Sequence, residues 1–109
     1  MKDEEYLEFL RSVLIKIENA INLLSHDPPR HILSYNKMLG VRQKINDLNE
    51  ECKNVLFSQI VTCRSVINYF INGRYGEARS RIIKLKTDII KICCEIKKRK
   101  EKNERDKNE

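Results

Sequence analysis

The sequence predicts an all-α protein: an antiparallel three-helix bundle, or a helical hairpin with a long central helix, with coiled-coil-like packing. Three stripes of apolar residues step alternately by three and four positions. Such a step averages about 3.5 residues, close to one helical turn. Only 3 Gly and 2 Pro occur in 109 residues, which leaves few places for turns. The balance of 40% hydrophobic and 35% charged residues favours slender helices with wide solvated faces.

The first helix is predicted from about Asp3 to His26. Acidic residues fill its first turns, where they oppose the positive end of the helix dipole. Asp27 is placed to cap the next helix with Pro28 at its first position, because proline is favoured there and the preceding residue avoids the helical region. The apolar stripe of this helix consists of Leu7, Leu10, Leu14, Ile17, Ile21 and Leu24.

The second helix is predicted from Pro28 to Asn72. A kink or short break is expected at Gly40, where the apolar pattern changes phase, and one continuous helix is expected over 41–71. Its stripe is Met38, Val41, Ile45, Leu48, Cys52 and Val55. A second apolar column follows: Leu56, Ile60, Cys63, Ile67 and Phe70. Two columns predict that this half of the helix is covered on more than one side.

The third helix is predicted to start near Arg74 or Tyr75 and to extend past Lys98. Asn72-Gly73 ends the second helix, with Gly73 in the left-handed conformation that follows many helix ends. The third stripe is Tyr75, Ala78, Ile82, Leu85, Ile89, Ile92 and Ile96, and a secondary column is Ile83, Ile90 and Cys94. Residues 1–100 are expected to form one domain, and the polar tail 101–109 to fray or be disordered.

The turn between the last two helices has a local pattern. Residues 69–78, Tyr-Phe-Ile-Asn-Gly-Arg-Tyr-Gly-Glu-Ala, resemble the inter-helix turn of tetratricopeptide repeats. In those repeats a small residue bends the chain, an aromatic residue two positions on packs into the groove, and Ala lets the helices approach. The resemblance covers this turn alone, because the repeat's Trp, its closing Pro and its repetition are missing. It implies a tight helical hairpin.

No pattern of catalytic residues is present. The chain contains no G-x-G-x-x-G, P-loop, nucleophile elbow or H-E-x-x-H, and its cysteines have no C-x-x-C spacing. We therefore expect no enzyme activity, no metal ion and no cofactor. The cysteines are expected to be reduced and mostly in the core, with a redox role for the adjacent Cys93-Cys94 pair as the alternative. His26 and His31 are interpreted as ordinary residues beside a turn.

The charge is unevenly distributed, since residues 1–29 carry −3, residues 30–71 carry +3 and residues 72–109 carry +6. The C-terminal helix is therefore either a solvated face with oppositely charged pairs four residues apart, or a surface for a polyanion. Only residues 97–100 form an uncompensated basic cluster. The candidate polyanion-binding residues are Lys84, Lys91, Lys97, Lys98, Arg99 and Lys100.

The apolar columns exceed what the short first helix can cover. We therefore expect a non-enzymatic helical protein–protein interaction module that self-associates as a homo-oligomer and presents a helical surface to a protein partner. The expected apolar surface is Leu56, Ile60, Cys63, Ile67, Phe70, Ile83, Ile90 and Cys94. The alternative is a small basic helical protein that binds nucleic acid through its C-terminal helix.

The compartment is expected to be the cytoplasm, or a viral or nuclear equivalent. The N-terminus is acidic, unlike a signal peptide, and apolar runs are too short to cross a membrane. We thus expect neither secretion nor a membrane partner. The chain contains 13 Lys, 14 Ile and 10 Asn but only 2 Ala, a bias that indicates an AT-rich genome.

Overall fold

All regular secondary structure is helical in the part that the computed structural model describes, which is residues 2–108, with side chains for residues 2–104. The helices are α1 (Asp3–Leu24), α2 (His31–Asn46), α3 (Glu50–Val55), α4 (Phe57–Ile71) and α5 (Tyr75–Asn108). They pack against one another over 56 × 28 × 17 Å. The predicted all-α helical bundle is confirmed.

The four longer helices form a ring. α1 packs against α2 and α5, α4 packs against the same two helices, and the short α3 lies against α4. The Ser34 hydroxyl at the start of α2 donates to the Ala20 carbonyl near the end of α1 at 2.8 Å, so α1 and α2 are antiparallel. Glu18 and Asp3 of α1 lie beside α5 at Lys86 and Arg99, so these two helices are also antiparallel.

The remaining pairs complete an up-down-up-down bundle. Tyr35 near the start of α2 contacts Phe70 near the end of α4, with ring centroids 5.8 Å apart, so α2 and α4 run in opposite directions. A short turn reverses the chain between α4 and α5. Every neighbouring pair of long helices is therefore antiparallel, as in other bundles with short connections.

The core is built from the inward side of all four long helices. Its members are aliphatic side chains that are no more than 1% exposed, and each contributes about 1.5–3 kcal/mol through burial. They include Leu10, Val13, Ile17, Met38, Val41, Leu56, Val66, Ile82, Leu85 and Ile89. The stripes predicted from the sequence therefore face the core, apart from a few positions at their edges and ends such as Val55 and Tyr75, which are exposed.

The predicted continuous helix over 41–71 is wrong. α2 ends at Asn46, and the side chain of Asn49 accepts a hydrogen bond from the Cys52 N–H at 2.9 Å, which caps a new helix, α3. The chain bends again at Leu56, whose side chain is 1% exposed. The central segment thus forms α2, α3 and α4 instead of one helix, and four long helices surround the core instead of three.

Two expectations near α2 are also corrected. α2 continues through Gly40 without a break, and a Cβ at Gly40 would lie 3.8 Å from the Lys16 Nζ of α1, so this glycine lies beside the neighbouring helix. α2 begins at His31, with Arg30 instead of Asp27 at the capping position. The Arg30 N–H donates to the Leu23 carbonyl at 2.9 Å. This hydrogen bond holds the chain against the end of α1 as far as Arg30, and α2 starts at the next residue.

The turn between α4 and α5 agrees with the prediction. Gly73 has a φ of +73°, its N–H donates to the Phe70 carbonyl at 3.1 Å, and the Arg74 N–H donates to the Tyr69 carbonyl at 2.8 Å. These two hydrogen bonds form a Schellman motif. α5 begins at Tyr75 as expected. It runs to Asn108 and therefore includes most of the polar tail. The fraying of this tail stays a prediction, and Glu109 lies outside the described residues.

Candidate interaction surface

The outward side of α4 is unusually poor in charge. Phe57, Val61, Arg64, Asn68 and Ile71 recur every three or four positions and therefore share one side of the helix. Phe57, Val61 and Ile71 are 65%, 45% and 66% exposed. Arg64 is the only charged residue among the 15 residues of α4. We call these five residues the α4 face, in which three side chains are apolar and one is charged.

Exposed apolar residues also occur on the other long helices: Ile32 and Leu33 at the start of α2 are 76% and 48% exposed, whereas those of α1 and α5 lie among charges. Ile15 of α1 is 61% exposed, and this helix carries seven charged residues of its 22. Ile83 and Ile90 of α5 are each 40% exposed and directly precede Lys84 and Lys91 in a strongly charged helix. Scattered exposed residues of this kind are common on soluble proteins and need no partner.

A small apolar groove adjoins the C-terminal end of the α4 face. Its volume is about 170 Å³, which is enough for one large apolar side chain and smaller than most small-molecule sites. The rings of His31 and Tyr75 stack with centroids 3.7 Å apart and planes inclined by 8°, and they form one wall. The groove, which we call the end groove, is lined by His31, Ile32, Tyr35, Phe70, Ile71 and Tyr75. Ile71 belongs to both surfaces and makes them continuous.

Most of the apolar surface expected from the sequence lies in the core. Leu56, Cys63, Ile67 and Phe70 are between 1% and 6% exposed, and Ile60 is half-buried. The bends at 47–49 and Leu56 allow α4 to fold back beside α2. The chain therefore covers its own second column and leaves no free surface there. Of the expected set, Ile83, Ile90 and Cys94 remain exposed on α5.

The sequence expectation missed the α4 face. Its signal was the absence of charge rather than the presence of a stripe, since residues 57–71 hold one ionisable side chain that is charged at neutral pH. The end groove had no comparable signal, because it joins the start of α2 to the turn after α4 across about 40 residues of sequence.

Half of the candidate polyanion-binding residues are paired with acidic groups. Lys84 lies 3.5 Å from Asp88, and Arg99 lies 3.5 Å from Asp3. Lys100 donates to Glu4, and this hydrogen bond lowers the pKa of the Glu4 carboxyl. The cluster at residues 97–100 is therefore partly compensated, because the acidic first turn of α1 lies beside it. The remaining cations, Lys91, Lys97 and Lys98, are exposed and form no ion pair with the described side chains.

The thiols are free, and the buried ones are held in the protonated form. Burial raises the pKa of Cys63 to about 12, and it also raises the pKa of Cys93. Tyr6, whose hydroxyl is buried without a hydrogen-bond partner, has its pKa raised to about 12 by burial, with smaller contributions from Cys52 and Cys93. None of these groups is prepared to act as a nucleophile at neutral pH.

No protein-family model, curated protein or solved structure matches this chain. Within residues 2–108, no helix combines the length and the apolar character that crossing a membrane requires.

Proposed function

We propose that this chain is a non-enzymatic helical protein–protein interaction module that binds its partner through the α4 face. The observation that carries this proposal is the pair Phe57 and Ile71, each about two-thirds exposed on a helix with one charged residue. Covering such side chains removes apolar surface from water, which favours association by about 25 cal/mol for each Å², and aromatic residues such as Phe57 are enriched at the centres of protein interfaces.

The shape of the surface favours a helical partner. α4 is about 22 Å long at 1.5 Å per residue, and its outward residues follow the three-and-four spacing that a packed helix would need. The end groove at Ile71 would receive one side chain of that helix. The partner is either another protein or a second copy of this chain.

Nucleic-acid binding through α5 is less well supported. Lys84, Arg99 and Lys100 already have acidic partners, and a phosphate would have to compete with them. Lys91, Lys97 and Lys98 are the cations that would be left for this role. Since none of the groove-lining aromatic residues lies near them in sequence, stacking on bases has no support either.

The experiment compares two double variants that each remove two exposed apolar side chains. Phe57→Ser with Ile71→Ser alters the α4 face, and Ile15→Ser with Ile90→Ser is the matched control, with exposures of 65% and 66% against 61% and 40%. The free energy of unfolding of both variants should lie within about 1 kcal/mol of the wild-type value, because all four positions are on the surface. Tagged proteins expressed in the native host are cross-linked, and the captured proteins are quantified by mass spectrometry.

The wild type and the control should capture the same partner. The amount of partner captured by the α4-face variant should be lower by about tenfold or more, which corresponds to a loss of about 1.4 kcal/mol in binding free energy. Sedimentation velocity then tests whether the partner is a second copy. If all three proteins capture the same set of proteins and all sediment as monomers, the α4 face is not an interaction surface.

A further inference from the structure

We infer that the α4 face binds an amphipathic helix of another protein, which carries a carboxylate for Arg64 and, seven positions away, a large apolar side chain for the end groove. This inference rests on the function proposed above and specifies the chemistry of the partner. It follows from where the single charge of α4 lies and from the spacing between that charge and the groove.

Arg64 forms no ion pair with any side chain among residues 2–104, the part of the chain whose side chains are described. Residues three and four positions away are its neighbours on the helix surface, and these are Ile60, Val61, Ile67 and Asn68, all uncharged. Lys53, Arg74 and Lys84 find a carboxylate three or four positions away, whereas Lys91, Lys97 and Lys98 are unpaired like Arg64 but lie in a strongly charged helix.

An unpaired guanidinium restricts what can cover the α4 face. Burying it without an anion costs several kcal/mol, which would cancel much of the gain from Phe57, Val61 and Ile71. A carboxylate opposite Arg64 removes this cost, because the planar guanidinium donates two parallel hydrogen bonds to a carboxylate. The net charge of +6 also favours an acidic partner over a basic one during encounter.

A second copy of the chain does not fit this surface well. Arg64 lies midway between Phe57 and Ile71, seven positions from each. A two-fold contact that overlaps the whole α4 face would therefore place Arg64 against its own equivalent, and like charges in contact destabilise an interface. The only charge of the face thus acts against self-pairing and favours a partner of opposite charge.

The distance between Arg64 and the end groove sets the spacing in the partner. Ile71, which lines the groove, is seven residues from Arg64, which is two helical turns or about 10.5 Å. A partner helix lying along α4 therefore presents its carboxylate and its groove-filling residue two turns apart. The groove volume of about 170 Å³ and its aromatic walls suit leucine or phenylalanine.

Synthetic helical peptides of about 18 residues test this inference directly. The reference peptide has an apolar stripe, a leucine and a glutamate seven positions apart, and it is made with both orders of the pair. One matched peptide has lysine in place of glutamate, and another has alanine in place of leucine. Binding to the full chain is measured by fluorescence anisotropy for the wild type, for Arg64→Glu and for Lys91→Glu, a control that changes an exposed cation of α5.

The wild type and Lys91→Glu should bind the glutamate peptide at least about tenfold more tightly than the lysine peptide, and Arg64→Glu should reverse this preference. The alanine peptide should bind the wild type about tenfold more weakly than the leucine peptide. Loss of the reversal, equal affinity for all peptides, or no binding at about 100 µM overturns the inference. A wild-type dimer that Phe57→Ser with Ile71→Ser dissociates would assign the face to a second copy instead.

These outcomes are separate from the test of the proposed function. That test uses proteins of the native host and does not depend on the charge or spacing of a synthetic helix. A partner captured through the α4 face together with unselective peptides would keep the interaction module and reject the carboxylate and the seven-residue spacing.

Discussion

α4 and α5 pack against each other with similar inner sides and very different outer sides. Toward the core, both present aliphatic or thiol side chains that are at most 1% exposed, such as Cys63 and Val66 on α4 and Ile82 and Leu85 on α5. Toward solvent, α5 alternates acidic and basic residues, whereas α4 offers one arginine among apolar and small polar residues. The inner sides determine how the helices pack into the bundle. The difference between the outer sides of α4 and α5 is the feature that bears on function.

The cations of α5 and of α4 also have different surroundings. On α5, Lys84 pairs with Asp88, and Lys86 lies 3.9 Å from Glu18 of α1. These exposed pairs contribute about 0–1 kcal/mol each and mainly keep the surface solvated. Arg64 on α4 has no such partner among the described side chains. Lys91, Lys97 and Lys98 of α5 are unpaired as well, but they lie among other charges, so what distinguishes Arg64 is that all its neighbours on the helix surface are uncharged.

The largest effect is expected from a charge on the shared inner side. Ile89→Asp places a carboxylate at a position that is 1% exposed, and burying it without a partner costs more than a small domain can tolerate. We expect the chain to lose its helical circular dichroism at 25 °C. Lys91→Asp, on the outer side of the same helix, should change the free energy of unfolding by less than about 0.5 kcal/mol. Equal thermal melts for both variants would show that the inner stripe of α5 is not core.

The buried thiol of Cys63 on the inner side of α4 should make the stability of the protein sensitive to alkali. Burial raises the pKa of Cys63 from 9.0 to about 12, so its stabilising contribution is complete below pH 9 and is lost as the pH rises toward 12. The cause is that the thiol ionises first in the unfolded chain, at a cost of up to about 1.4 kcal/mol per pH unit. Cys63→Ala should reduce the fall in unfolding free energy above pH 9, and the fall that remains comes from Cys93, whose pKa burial also raises.

Urea unfolding at several pH values between 8 and 10 measures this effect before Tyr6, with its ordinary value of 10.0, begins to contribute strongly. Identical pH slopes for the wild type and Cys63→Ala would contradict the assignment.

A smaller effect is expected at the turn that joins the two helices. Gly73→Ala introduces a Cβ at a φ of +73°, and this should destabilise the chain by about 1–2 kcal/mol. Gly76→Ala is the matched control, because Gly76 is helical and a Cβ there meets no atom within 4 Å, so it should stabilise by up to about 1 kcal/mol. Thermal melts of both variants decide this, and a neutral Gly73→Ala would mean that the turn can adopt another conformation.

The sequence was sufficient where a local signal coincided with the periodic one. Gly73 ends α4 as expected, and the acidic first turn marks the start of α1. It was insufficient at residues 47–56. The capping signal of Asn49 with two glutamates after it was present, but the apolar pattern continued across it. Leu48 of the second helix's stripe and Leu56 of its second column flank the short α3 and are both buried, so the apolar pattern alone does not distinguish a bent chain from a straight helix.

The candidate site was harder to predict than the fold. A sequence shows that α4 has two apolar columns, but it does not show which column the rest of the chain covers. Leu56, Cys63, Ile67 and Phe70 were expected at the surface and are covered because α2 returns beside α4. The α4 face was detectable in principle from its lack of charge, whereas the end groove requires knowledge of the helix order around the ring.

The closed ring of helices also affects how the protein is made. α1 depends on α5 for one of its two neighbours, and Arg99 lies 96 residues after Asp3 in the chain. A ribosome adds about 5–20 residues each second, so on the order of 5–20 s separates the synthesis of these two contact points. During that interval, one flank of α1 is open while α2 covers the other. The nascent chain is then most exposed to aggregation, and the ring closes only when α5 has emerged.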